Sequence, residues 1–80
     1  EINFEVPDKQ GAMKHLGEHY SDGEVDWLDG ITVQYDEWWF NVRPSNTEPL
    51  LRLNLEAETA KLRDEKRRDV TGVIEQYVSS

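Results

Sequence analysis

The chain is 80 residues long, carries a formal net charge of -8 and contains no cysteine. A chain this short buries only roughly two-thirds of the surface it exposes when unfolded, so one small core, unaided by disulfides or thiolate metal sites, has to hold it together. The acidic balance disfavours general attraction to nucleic acid or anionic lipid, the apolar runs fall far short of the roughly 20 residues of a membrane span, and no secretory leader is visible; a cytoplasmic protein without nucleic-acid or membrane partners is expected.

Residues 1 to 6 place Ile2, Phe4 and Val6 on one face and Glu1, Asn3 and Glu5 on the other, the alternation of a half-buried strand that Pro7 ends. Asp8 is suited to cap a helix running to about Tyr20, with Ala12, Met13, Leu16 and Tyr20 on one stripe; Gly11 and Gly17 weaken it, so docking on a sheet must stabilise it. Ser21-Asp22-Gly23 reads as a turn, Glu24 to Leu28 as a short strand, and Asp29-Gly30 as a turn between paired strands. Ile31, Val33 and Tyr35 alternate with Thr32 and Gln34. Past Asp36-Glu37, Trp38, Phe40 and Val42 share one face while Trp39, Asn41 and Arg43 share the other. A further strand puts Leu51, Leu53, Leu55 and Ala57 opposite Leu50, Arg52, Asn54 and Glu56. Thr59 is a suitable cap for a last helix, whose stripe is Leu62, Val70, Val73, Ile74 and Tyr77, with the stem of Lys66 lying along the sheet. Strand, helix, three or four strands, helix predicts an α+β domain: an antiparallel sheet of four to five strands with two helices packed on one face.

Between two strands lies Arg43-Pro44-Ser45-Asn46-Thr47-Glu48-Pro49. A phosphate dianion needs several donors converging on its oxygens, and a planar guanidinium supplies two parallel charge-assisted bonds. The hydroxyls of Ser45 and Thr47 and the backbone N–H groups around Asn46 are the right types to complete an anion nest, and the two prolines limit the freedom the loop loses on binding. The same composition also describes an ordinary turn, so chemistry alone leaves both readings open.

The run from Asn41 to Asn54, Asn-Val-Arg-Pro-Ser-Asn-Thr-Glu-Pro-Leu-Leu-Arg-Leu-Asn, resembles the phosphate-binding loop and following strand in the last domain of α-D-phosphohexomutases. Glu1-Ile2-Asn3-Phe4 resembles that domain's opening strand, Asp29-Gly30-Ile31 its central hairpin, and Leu62-Arg63-Asp64-Glu65 its final helix. The resemblance implies a TATA-binding-protein-like fold and makes residues 1–80 a single C-terminal domain, the last of four in a bacterial, cytoplasmic enzyme of the phosphomannomutase/phosphoglucomutase type. A start at Glu1, inside a strand and without an initiator methionine, is expected of such an excised piece. Matched residue by residue, Arg43, Ser45, Asn46 and Thr47 take the positions that hold the non-reacting phosphate of a hexose phosphate substrate. Asn46 fits the mannose/glucose branch, since phosphoglucosamine mutases typically carry glycine there. The phosphoserine and the Mg²⁺ site belong to the family's other domains, so no catalytic residue, metal or cofactor is expected here and the isolated domain should be inactive. Trp38 departs from the family pattern, which often has glycine after the acidic turn, and marks the hairpin as the place where geometry should differ.

Two other readings compete. His15-Leu16-Gly17-Glu18-His19 matches the H-x-x-E-H order of one class of zinc peptidases, although two solvated histidines on a surface helix explain it more simply. Lys61, Arg63, Lys66, Arg67 and Arg68 make the last helix locally basic, as in a nucleic-acid module, but interleaved Glu58, Asp64, Glu65 and Asp69 describe a solvated face of paired charges.

Overall fold

A computed structural model describes residues 2–78. Seven elements follow in chain order: β1 (Ile2–Glu5), α1 (Lys9–His19), β2 (Glu24–Asp26), β3 (Ile31–Gln34), β4 (Trp38–Pro44), β5 (Leu50–Ala57) and α2 (Ala60–Glu75). The strands form one antiparallel sheet in the order β1-β5-β4-β3-β2. The expected α+β class, with five strands and two helices, is what the chain adopts. Glu1, assigned to the outer face of the first strand from its alternation, lies outside the described residues.

The alternation predicted for the strands decides which face is covered. Val33, Phe40, Val42, Leu51 and Leu53 have essentially no exposed surface and meet Leu16 of α1 and Val70 and Ile74 of α2 in a single core. The opposite face carries Asn3, Arg52, Arg43, Asn41, Thr32 and Asn54, which no helix covers. Both helices begin as the sequence indicates. Asp8 accepts the N–H of Gly11 at 3.0 Å and Thr59 accepts that of Leu62 at 3.1 Å, each satisfying a donor that the first helical turn leaves orphaned. Lys66 sits 5.3 Å from the centroid of the Trp38 ring, so its stem lies along the sheet as expected and its charge is used against an aromatic face.

Three expectations need correction. The second strand stops at Asp26 rather than Leu28, because the Asp26 carboxylate accepts the Leu28 N–H at 2.8 Å and turns the chain away from the ladder. The turn therefore spans 27–30 and not Asp29-Gly30 alone. Trp27 folds back over Gly17, where an added Cβ would fall 2.7 Å from a ring carbon, so a glycine that weakens α1 locally makes room for an indole. Finally, Arg43 and Pro44 belong to β4, and the connecting loop is confined to 45–49.

The hairpin around Trp38 closes in spite of the departure noted above: Tyr35 donates its N–H to the Trp38 carbonyl at 2.8 Å, and the Trp38 ring is buried against Tyr35, stacked at 4.8 Å, and Phe40. Trp39, on the other face, is half-buried.

Candidate anion-binding site

The β4–β5 ladder runs from Trp38 opposite Ala57 to Pro44 opposite Leu51. Because Phe40, Val42, Leu51 and Leu53 must face the core, their neighbours Arg43 and Arg52 both project from the open face, directly across from each other. Loop 45–49 then closes the hairpin beside them. Ser45 donates its N–H to the Leu50 carbonyl at 2.9 Å, and the Ser45 hydroxyl oxygen accepts the Thr47 N–H at 3.4 Å. Among the described residues, no partner within the chain takes the N–H groups of Asn46 and Glu48.

Lys9, at the start of α1, braces the loop from beneath, donating from Nζ to the carbonyls of Ser45 at 2.9 Å and Glu48 at 3.2 Å. The Val6 N–H reaches the Pro49 carbonyl at 2.6 Å. The loop is thus tied to β5, to α1 and to the segment between β1 and α1, although its tip, from Asn46 to Pro49, is exposed.

All four residues singled out in the sequence, Arg43, Ser45, Asn46 and Thr47, line one concavity of about 340 Å³, together with Pro44 and Arg52. Arg52 was missed as a site residue. Alternation places it on the face of Leu50 and Asn54, but no local pattern reports the register that sets it against Arg43. Like charges directly opposite on neighbouring strands destabilise a sheet, so this pair is costly unless something anionic joins it. One partner does: the Asp29 carboxylate forms an ion pair with Arg43, 3.2 Å from Nε. Among the described residues, no carboxylate pairs with Arg52.

The other sequence candidates separate from this site. His15 and His19 lie on α1 with ring centroids 6.3 Å apart and edge-on, and His15 Nδ1 shares a hydrogen bond of 3.0 Å with the Tyr77 hydroxyl. His15 is therefore half-buried and engaged instead of solvated, and among the described residues no three His, Asp or Glu side chains cluster as a metal site. On α2, Arg63 and Arg67 both pair with Asp64, at 3.3 and 3.2 Å, in agreement with the paired-charge reading of that face. No helix among the described residues is long and apolar enough to cross a membrane.

The architecture and the pocket define an open-faced α+β domain with a doubly cationic, hydroxyl-lined hairpin end. Comparison with known proteins gives it a lineage: the family model for the C-terminal domain of phosphoglucomutase/phosphomannomutase matches residues 1–72, and the chain belongs to that family. It is 49% identical over 74 residues to a phosphomannomutase of Methanocaldococcus jannaschii, covering 92% of this chain and 16% of that protein. It is 42% identical over 77 residues to a protein of Xanthomonas campestris named phosphohexose mutases, covering 92% of this chain and 17% of the relative. A probable phosphoglucosamine mutase of Pyrococcus furiosus is 37% identical over 51 residues, 64% of this chain and 11% of that one. The chain thus spans about a sixth of the length of the first two relatives. They come from archaea as well as bacteria, which leaves the expected bacterial origin without specific support.

Proposed function

We propose that the hairpin end binds the phosphate group of a hexose phosphate, and that in a full-length phosphomannomutase/phosphoglucomutase it grips whichever phosphate is not reacting. The observation that carries this reading is the convergence of Arg43, Ser45, Asn46 and Thr47 on one concavity, with Arg52 as a second guanidinium. Two guanidinium groups supply charge, two hydroxyls supply rotatable donors, and the unpaired amides of Asn46 and Glu48 offer a partial nest. The core behind β4 and β5 and the Lys9 brace hold these groups before ligand arrives, which lowers the ordering cost of binding.

Such an enzyme interconverts hexose 1-phosphate and hexose 6-phosphate through a bisphosphorylated sugar. Two orientations of substrate then have to be held by one constant grip, which converts remote binding energy into placement of the distant hydroxyl. In this reading the phosphoserine and Mg²⁺ reside in the rest of the polypeptide, the isolated domain is inactive, and the domain closes over substrate by a hinge motion. Asn46 favours mannose or glucose phosphates over the glucosamine branch. Failure of a full-length enzyme to compact on binding substrate, measured by small-angle scattering, would remove the closure step.

The grip itself is tested by titrating the 80-residue chain with inorganic phosphate and following backbone amides by NMR. Residues 43–48 and Arg52 are expected to shift together, with an affinity in roughly the millimolar range because one phosphate's contacts are made without the remaining enclosure. Arg43→Ala should abolish the response. A folded wild-type chain whose loop amides ignore phosphate sinks the proposal.

A further inference from the structure

From the anion site a second concavity, of about 450 Å³, continues along the open face of the sheet, and Arg43 lines both. Its lining includes two cross-strand pairs of the β4–β5 ladder, Asn41 directly opposite Asn54 and Trp39 directly opposite Glu56. Asn41 is fixed in place. Its Nδ2 donates to the carbonyls of Asp29 and Ile31, at 3.1 and 3.3 Å, and lies 3.0 Å from the Thr32 hydroxyl. Carbonyls only accept, so the nitrogen is turned toward them and Asn41 Oδ1 is left to accept from elsewhere. Asn54 and Trp39 are both half-buried in this hollow. A polar sheet face ordinarily meets only water. An indole set among side-chain amides and a carboxylate in a concave surface has a more particular chemistry. A pyranose, apolar on its C–H faces and ringed with hydroxyls, needs one flat apolar surface and several donors and acceptors around it.

We propose that this second concavity is a sugar subsite: with the phosphate group at the hairpin end, the hexose ring lies over Asn41 and Asn54 and sets one face against Trp39. The inference rests on the phosphate reading above and deepens it. Residues on one face of a strand recur roughly every 7 Å, so Asn41 stands one such step from Arg43 and Trp39 two. The order cation, amides, aromatic ring along β4 thus follows the order phosphate ester, hydroxyls, ring face along a hexose phosphate. The carboxylate of Glu56, across from Trp39, is an acceptor for sugar hydroxyls at the far end. Stacking on an indole makes no demand on which hydroxyl lies where, so the ring is received whether the bound phosphate is on C1 or on C6. The competing occupant is the remaining polypeptide, packed over the same face.

Titrations of the 80-residue chain with glucose 6-phosphate and with methyl phosphate, a monoester that has no ring, separate the two, followed by NMR of the backbone amides, the Trp39 indole N–H and the Asn54 side-chain amide. Both ligands are expected to shift the loop amides, but only glucose 6-phosphate the Trp39 and Asn54 signals. It should also bind about ten-fold more tightly, the worth of one or two modest hydrogen bonds and a partly covered ring face. Trp39→Ala should bring the two ligands to nearly equal affinity. Asn54→Ala, a smaller truncation on the same face, should narrow the gap and serves if the tryptophan variant does not fold. Equal affinities in the wild-type chain, an indole signal that glucose 6-phosphate does not move, or a gap that survives in the folded variants overturns the subsite and leaves the face to the remaining polypeptide. Loop amides that ignore methyl phosphate overturn the phosphate reading itself.

Discussion

Replacing Gly30 by alanine tests how the fold and the site are joined. Gly30 is the single residue with positive φ among those described, at 68°, and a Cβ there would press on the Val42 carbonyl and stand 3.0 Å from Arg43 Cα. The left-handed conformation costs an L-residue about 1–2 kcal/mol, and the overlap falls on backbone, which no rotamer change relieves. Against this, alanine restricts the unfolded chain and returns about 0.4–1 kcal/mol. With about 1–2 kcal/mol more for the backbone shift that relieves the overlap, a net loss of about 1–3 kcal/mol follows, a large part of the roughly 4–12 kcal/mol expected for a domain of this size, and it should lower Tm by about 5–20 °C. Gly72→Ala is the internal control. It lies in α2, exposed and with nothing within 4 Å of an added Cβ, so alanine should stabilise by about 1 kcal/mol through helix propensity alone. Thermal unfolding followed by circular dichroism reads both. If Gly30→Ala matched wild type, or if the two variants moved Tm in the same direction, the account of the 27–30 turn would be wrong.

Tyr20→Phe should raise stability at neutral pH by about 1 kcal/mol, measured by urea unfolding, since the Tyr20 hydroxyl is buried without a hydrogen-bond partner in the described structure and phenylalanine leaves nothing unsatisfied. Burial, reinforced by the Asp69 carboxylate, pushes the Tyr20 phenol up to about 12, above the value of about 10 it has when unfolded. The folded state then holds the proton more tightly, so this contribution is complete below pH about 10 and is lost as pH rises toward 12. Tyr20→Phe should flatten that alkaline limb only in part, because burial and the hydrogen bond to Asp22 push the Tyr35 phenol up as well. An alkaline limb identical in wild type and variant refutes the assignment. Lys9→Ala removes both bonds beneath the loop, and exchange of the hydrogen-bonded Ser45 and Leu50 amides should quicken several-fold while Tm falls little, as expected for a part-exposed brace; unchanged exchange would show that the prolines suffice.

Much of this was legible because strand alternation and helix caps are local. Phe40, Val42, Leu51 and Leu53 declare their face by period-2 spacing, and Asp8 and Thr59 declare the helix starts by their side-chain oxygens. The end of the second strand was misread because Trp27 and Leu28 continue an apolar pattern, whereas the Asp26 carboxylate captures the Leu28 amide first. Tertiary placement hid the rest. Lys9 reaches the loop from 36 positions away in the chain, and the His15 bond to Tyr77 spans 62. No pattern within a window of a dozen residues reports contacts of that range.

The candidate site is also where the chain departs from what stability alone would favour. Elsewhere consistency largely holds: the inward-facing apolar residues of the strands are buried, caps are filled, and the charges of α2 interleave, with the exposed Trp27 and Leu28 and the unpartnered Tyr20 hydroxyl as exceptions. At the β4–β5 hairpin end, two arginines oppose each other, only one has a carboxylate, and two loop amides are left unpaired on an exposed tip. Each feature costs a little in the free domain, and one dianion would relieve all of them together: it bridges the guanidinium groups and accepts from the amides. A turn built only to reverse the chain has no such shared remedy. That joint deficit, more than the identity of any single loop residue, argues for a site made to be completed by a ligand.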